Sequence, residues 1–174
     1  MKNDLPSLEF RDIIKDIANN DTVKQMNNFE HHLGTTCYDH CVNVAYYSYI
    51  ITKKLKLNYI DTARACMVHD LFLYNWKGNR TKHGGLHGFS HPRTALNNAK
   101  ELFDLSNKEQ DIILKHMWPM TVVLPKYRES YIVSLVDKFC AIKEYIIPSI
   151  KWFKLRKLYR YSYLFFTFFV FKIM

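Results

Sequence analysis

At 174 residues the chain is one domain's worth of sequence, long enough to bury a substantial core. Hydrophobic residues make up 48% of it and only five glycines and five prolines interrupt them, which leaves a mostly helical globule as the default. The net charge of +9 sits mainly in residues 151–174, which hold six basic residues and no acid; residues 1–150 carry 19 basic against 16 acidic residues, so the body is nearly balanced. The start, Met1 to Phe10, lacks the apolar core of a secretory signal, and a cytoplasmic location is expected.

In chain order, Leu8, Ile13, Ile14 and Ile17 give Ser7 to Ala18 the spacing of an amphipathic helix, and Asp21 is a cap for a short second one, Thr22 to Phe29. Tyr38 to Leu57 repeats small and apolar residues at Cys41, Val44, Ala45, Ser48, Ile51 and Leu55, a long helix with His40 in its first turn. Asn58 and Asp61 start a helix from Tyr59 to Phe72, with His69 and Asp70 near its end. The polar segment Tyr74 to Ser90 holds four of the five glycines and is expected to be a functional loop. Pro92 suits the first turn of a helix running to about Asp104, capped by Ser90 or His91. Gly84, Gly85 and Gly88 argue against a helix carrying His83, His87 and His91 on one face.

Ser106 and Glu109 form a capping box for Lys108 to Met117, with His116 in the last turn. Arg128 to Ile147 is the final core helix, ended by Pro148. With no repeat and no alternating strand pattern of useful length, the expected architecture is an all-α bundle over residues 1–150, followed by a basic, aromatic helical tail over 151–174. The four cysteines have no paired metal-ligand spacing and read as buried thiols.

His40, His69, Asp70, His91, His116 and Asp137 recur at intervals of 21 to 29 residues, apart from the adjacent His69 and Asp70, each beside or within an apolar helical segment. Polar groups are costly there unless something in the interior uses them, and imidazole with carboxylate is the donor set of a hydrolytic metal. Each residue alone has an ordinary alternative: a hydrogen-bonded core histidine or, for Asp137, a pair with Lys138 or Arg64. Together they favour a metal site.

His40 within Tyr38-Asp-His-Cys-Val-Asn-Val-Ala45, the His69-Asp70 pair, and Asp137 within Leu135-Val-Asp-Lys-Phe-Cys-Ala141 resemble the H...HD...D signature of the HD-domain metal-dependent phosphohydrolases. His91 and His116 are similar to the additional ligands of the subset that binds two metals. The resemblance, over roughly residues 30–145, implies an HD-like helical bundle and a divalent transition metal, as two ions of iron or manganese, with zinc as an alternative. It implies that His40, His69, Asp70 and Asp137 hold the first ion, and that His91 and His116 hold the second with Asp70 shared. The activity it implies is cleavage of a phosphoester, in a nucleotide or a related monoester or diester, by metal-activated hydroxide.

Lys77, Arg80, Lys82 and Arg93 are candidates to grip phosphate, and Lys77 and Arg93 join Asp70 as the expected catalytic residues. The chain departs from the family in having no Gly-Tyr-Pro after the His-Asp pair and no His-Asp-x-Gly-Lys form. Among the aromatics, Phe72 reads as core, whereas Trp76 and Trp118 read equally as core or as platforms for a base. One of His31 and His32 lines the site or both lie on the surface.

The uncharged stretch Tyr161 to Phe171 has 11 residues, too few to span a bilayer as a helix. The tail suits contact with an anionic membrane surface or packing on the body, and too few polar residues interleave its basic ones for nucleic acid. Alternatives to the enzyme are a catalytically silent HD module that binds a nucleotide or protein partner, and a peripheral membrane protein working through its tail.

Overall fold

The computed structural model of the protein describes residues 7–32, 34–75 and 87–173, with side chains up to Ile150 except that of His32. Among them are seven α-helices: α1 (Leu8–Asn19), α2 (Asp21–Lys24), α3 (Cys37–Lys54), α4 (Tyr59–Val68), α5 (His87–Leu102), α6 (Asn107–Lys115) and α7 (Arg128–Ile173). A 3-10 turn (Gln25–Asn28) follows α2, and a small hairpin of β1 (Glu30–His32) and β2 (Thr35–Thr36) precedes α3. The fold is therefore the expected all-α bundle.

The helices begin where side chains satisfy their free N–H groups. The Ser7 hydroxyl accepts from the Phe10 amide, Thr36 from Asp39, and Asn58 from Asp61. Both halves of the Ser106–Glu109 capping box form. Asn20, not Asp21, caps α2, accepting from the amides of both Thr22 and Val23.

The core lies where α3 and α4 pack together, with α1 and α6 against α4 and α7 across α3. Phe10, Ile14 and Ile17 of α1 share one buried core cluster with Ala63, Cys66 and Met67 of α4, Val44 and Ala45 of α3, and Ile112 and Ile113 of α6. Arg64 ties three helices at one edge: its guanidinium holds both oxygens of Asp16 at 2.7 and 2.9 Å and lies 3.6 Å from Glu109. Asp111 joins α6 to α7 by accepting from the Lys126 amide and the Ser130 hydroxyl. All four cysteines are free and buried.

Three helix boundaries and one hairpin stand out as differences from the sequence reading. Helix α4 stops at Val68 because the His69 side chain folds back onto the Cys66 carbonyl and caps the end. Helix α5 begins at His87, a turn early, and includes Gly88 and Pro92; glycine costs a helix only about 1 kcal/mol, and the packing of His87 on Phe72 and His91 outweighs that. Pro148 lies inside α7, where its penalty of about 3 kcal/mol is local and the helix runs for 46 residues. The hairpin is too short to give a readable alternation; Gly34, at φ +76°, makes its turn. No helix among the described residues is long and apolar enough to cross a membrane.

Helix α3 ends in a Schellman motif, with the Leu57 amide donating to the Thr52 carbonyl and Lys56 to Lys53. Lys56 is thereby held at φ 55°, a left-handed conformation that strains a residue with a Cβ. Replacing it with glycine relieves the strain and restores part of the cost as unfolded-chain entropy. Lys56→Gly is expected to stabilise the fold by about 1 kcal/mol, read from urea unfolding midpoints.

Candidate metal centre

Five elements deliver the six candidate ligands. His40 stands in the first turn of α3, His69 caps the C-terminus of α4 with Asp70 next, His91 lies on α5, His116 caps α6, and Asp137 is on α7. All six are buried. His40 Nε2 lies 3.0 Å and His69 Nε2 3.6 Å from Asp137 Oδ1. The two oxygens of Asp70 face opposite ways: Oδ2 is 3.7 Å from His69 Nε2 and 4.0 Å from His40 Nε2, whereas Oδ1 is 3.2 Å from His91 Nε2 and 3.4 Å from His116 Nε2.

The backbone fixes which ring nitrogen faces inward. Nδ1 of His69 donates to the Cys66 carbonyl at 2.7 Å, Nδ1 of His91 to His87 at 2.7 Å, and Nδ1 of His116 to Ile113 at 2.8 Å. A carbonyl can only accept, so each Nδ1 carries its hydrogen and each neutral ring turns a bare Nε2 to the centre. His40 does the same through Glu144, whose Oε2 accepts from Nδ1 at 2.9 Å while Asn43 holds Oε1 at 3.1 Å. His91 and His116 thus bring two Nε2 atoms within 2.8 Å. Lone pairs repel at that separation unless they share a cation.

The buried atoms His69 Nε2 and Asp70 Oδ1 have no hydrogen-bond partner among the described residues. Orphaned polar atoms in the interior are costly, and these two sit where a metal would use them. Donor atoms of His40, His69 and Asp137 lie within 4.8 Å of one another, as do those of His69, Asp70 and His116, and those of His31, His40 and Asp70. The buried His/Asp cluster can therefore hold a metal ion. Its all-nitrogen-and-oxygen donor set suits first-row divalent metals.

Without a metal, protons balance the charge. Burial alone would raise Asp70 and Asp137, but the surrounding imidazoles outweigh it and hold both well below the usual carboxylate range. Burial alone would lower His40, yet its bonds to Asp137 and Glu144 push it up to about 10, and His69 is also raised. Burial takes His116 down to about 3 and His87 to about 4. His40 and His69 thus lean toward the charged form, and His31, His87 and His116 toward the neutral one.

The sequence underweighted three residues. His31, brought in by the hairpin, donates from Nε2 to Asp70 Oδ2 at 2.9 Å and stacks on His40 with ring centroids 4.0 Å apart; the His31-His32 pair was its only signal. Glu144 follows Asp137 by seven residues, which puts both on one face of a helix. His87 stacks on His91 at 4.6 Å and meets the Tyr74 hydroxyl at 3.1 Å. Asp137 pairs with neither of the cations weighed for it: Arg64 engages Asp16, and the Lys138 ammonium donates to the carbonyls of His116 and Ser134.

The cluster opens into a cleft of about 250 Å3, with His31, His87, Lys138, Met117 and Met120 in its walls. Phe72 is fully buried, and Trp118 packs edge-on against Tyr131 at 5.2 Å. Arg93 is exposed and lines a different groove with Phe89, Ser90 and Asn97. Lys77, Arg80, Lys82, Trp76 and His83 lie outside the described residues.

A charged His40 must lose its proton before Nε2 can bind a metal, so metal affinity should rise with pH between about 6 and 8, with proton release. Competition with a fluorescent chelator at several pH values reads this; a flat profile would contradict it. Glu144→Gln removes the carboxylate that orients His40 and should weaken metal binding about 10- to 100-fold, with circular dichroism unchanged. The chain matches no protein-family model, no curated protein and no solved structure, so its own donor geometry carries the functional argument.

Proposed function

We propose that the chain is a metal-dependent phosphohydrolase of the HD type, acting on a small phosphorylated substrate such as a nucleotide. One observation carries this reading: inward-turned Nε2 atoms of four buried histidines meet two buried carboxylates, and both carboxylates line an open cleft together with His91 and His116. A purely structural cluster has no need of the opening.

In this reading His40, His69, Asp70 and Asp137 hold one divalent metal, and His91 and His116 hold a second with Asp70 shared between them. Iron or manganese is the proposed pair, with zinc as the alternative. Bound there, such metals supply Lewis acidity toward a phosphoester oxygen and a nucleophilic water at neutral pH. The opposed oxygens of Asp70 suit it to the shared position.

The remaining residues orient and select. Glu144 fixes the His40 ring, and Lys138 holds the His116 backbone through its carbonyl. His31 sets the Asp70 carboxylate. His87, pushed by burial toward its neutral form, meets the Tyr74 hydroxyl and forms part of the cleft wall. Lys77 is the proposed phosphate grip, and Arg93, in its separate groove, is left out of the catalytic set.

Elemental analysis of protein purified without chelator tests the centre, and hydrolysis of nitrophenyl phosphate mono- and diesters and of nucleotides tests the activity. About two equivalents of metal are expected, lost in Asp70→Ala together with at least ~1,000-fold in kcat/KM. A metal-free wild type would sink the proposal. Full metal with no cleavage of any phosphoester would favour the silent binding module instead.

A further inference from the structure

Helix α7 carries two apolar faces. Successive residues of a helix turn by 100°, so Leu135, Phe139, Ile142 and Ile146 fall within about 60° of one another, opposite Val133, Asp137, Cys140 and Glu144. The second set is buried against the body, whereas the first is left 63%, 59%, 57% and 46% exposed. A surface helix normally keeps its outer face polar, and one that is apolar all round is a buried one. Nothing in the described chain covers this outer face.

From the stripe we infer that a second copy of this chain covers it, α7 against α7 across a twofold axis. The intervals of four, three and four residues are those of a coiled-coil seam, which another helix fits by placing knobs into holes. The seam carries no charge. Of the four charged residues between 131 and 150, Asp137 and Glu144 face the core, Lys138 is tied to backbone carbonyls, and Lys143 donates to the Tyr47 hydroxyl.

Area supports a copy as the occupant. The stripe with its flanking neighbours Tyr145 and Ile150 makes six large side chains left about half open, or roughly 650 Å2 of apolar surface. That exceeds the ~300–600 Å2 patch usual on a monomer and approaches the ~800 Å2 each partner contributes to a standard interface. A helix lying on lipid would instead show a broad apolar face bordered by free basic residues. Here the two lysines that border the stripe, Lys138 and Lys143, are both engaged by the chain's own groups.

Sedimentation of the full-length chain at micromolar concentrations tests the inference. The expected wild-type mass is twice 20.8 kDa, and Phe139→Glu and Ile142→Glu should each weaken association about tenfold or more. Circular dichroism and metal content should not change, because both side chains are solvent-exposed. In a parallel seam each position faces its own copy, whereas in an antiparallel seam centred on the stripe position 142 faces position 139. The double variant Phe139→Cys with Ile142→Cys should therefore form a disulfide-linked dimer under a mild oxidant in either orientation, with the four buried native cysteines as silent background. A monomeric wild type, a dimer unaffected by both glutamates, or a wild-type dimer whose double cysteine variant fails to cross-link would each overturn it. So would a monomer whose stripe variants lose binding to anionic vesicles, which would assign the face to lipid.

Discussion

The constraint on which the rest depends is the burial of two carboxylates, Asp70 and Asp137, inside a helical bundle. An uncompensated charge of this kind costs about 3–5 kcal/mol, so the interior must surround each with positive charge or with groups that welcome it. Four imidazoles do so, together with His31 from the hairpin. Helices α4 and α6 end at the cluster, and their C-termini add partial negative charge. The site therefore attracts cations more strongly than two carboxylates alone would, and protons on His40 and His69 occupy that role in the metal-free chain.

Helix termination and ligand presentation are the same event here. His69 and His116 both occupy C-caps, and both use Nδ1 to satisfy a carbonyl three residues back. A residue that closes a helix in this way has only Nε2 left to offer, and its ring plane is set by the helix end. The geometry is thus fixed by backbone bonds that form on folding, before any ligand arrives. The inner nitrogen of His116 is held in this way 2.8 Å from that of His91, close enough for the two to share one proton or one metal ion.

The six ligand-type residues were legible in the sequence because burial makes each expensive, and the structure brings all six together. Most helix starts were legible too, since Ser7, Asn58 and Ser106 carry their own capping chemistry. What failed were inferences from single glycines and prolines. Gly88 and Pro148 lie inside helices because packing along α5 and α7 outweighs a penalty confined to one turn. His31 was hard to place for a different reason: a three-residue strand has no periodicity, and only the hairpin turn at Gly34 brings the residue beneath His40. Glu144 was within reach, seven residues after Asp137 on the same face.

Helix α7 joins the two proposals physically. Its inner face holds Asp137 against His40 and Glu144 behind the same ring, while its outer face carries the seam. A helix is stiff over the three turns that separate these residues, so anything that fixes its rotation fixes Asp137 relative to α3 and α4. The bonds of His40 to Asp137 and Glu144 hold that rotation from the inside, and the proposed seam would hold it from the outside with side chains that are not among the candidate ligands.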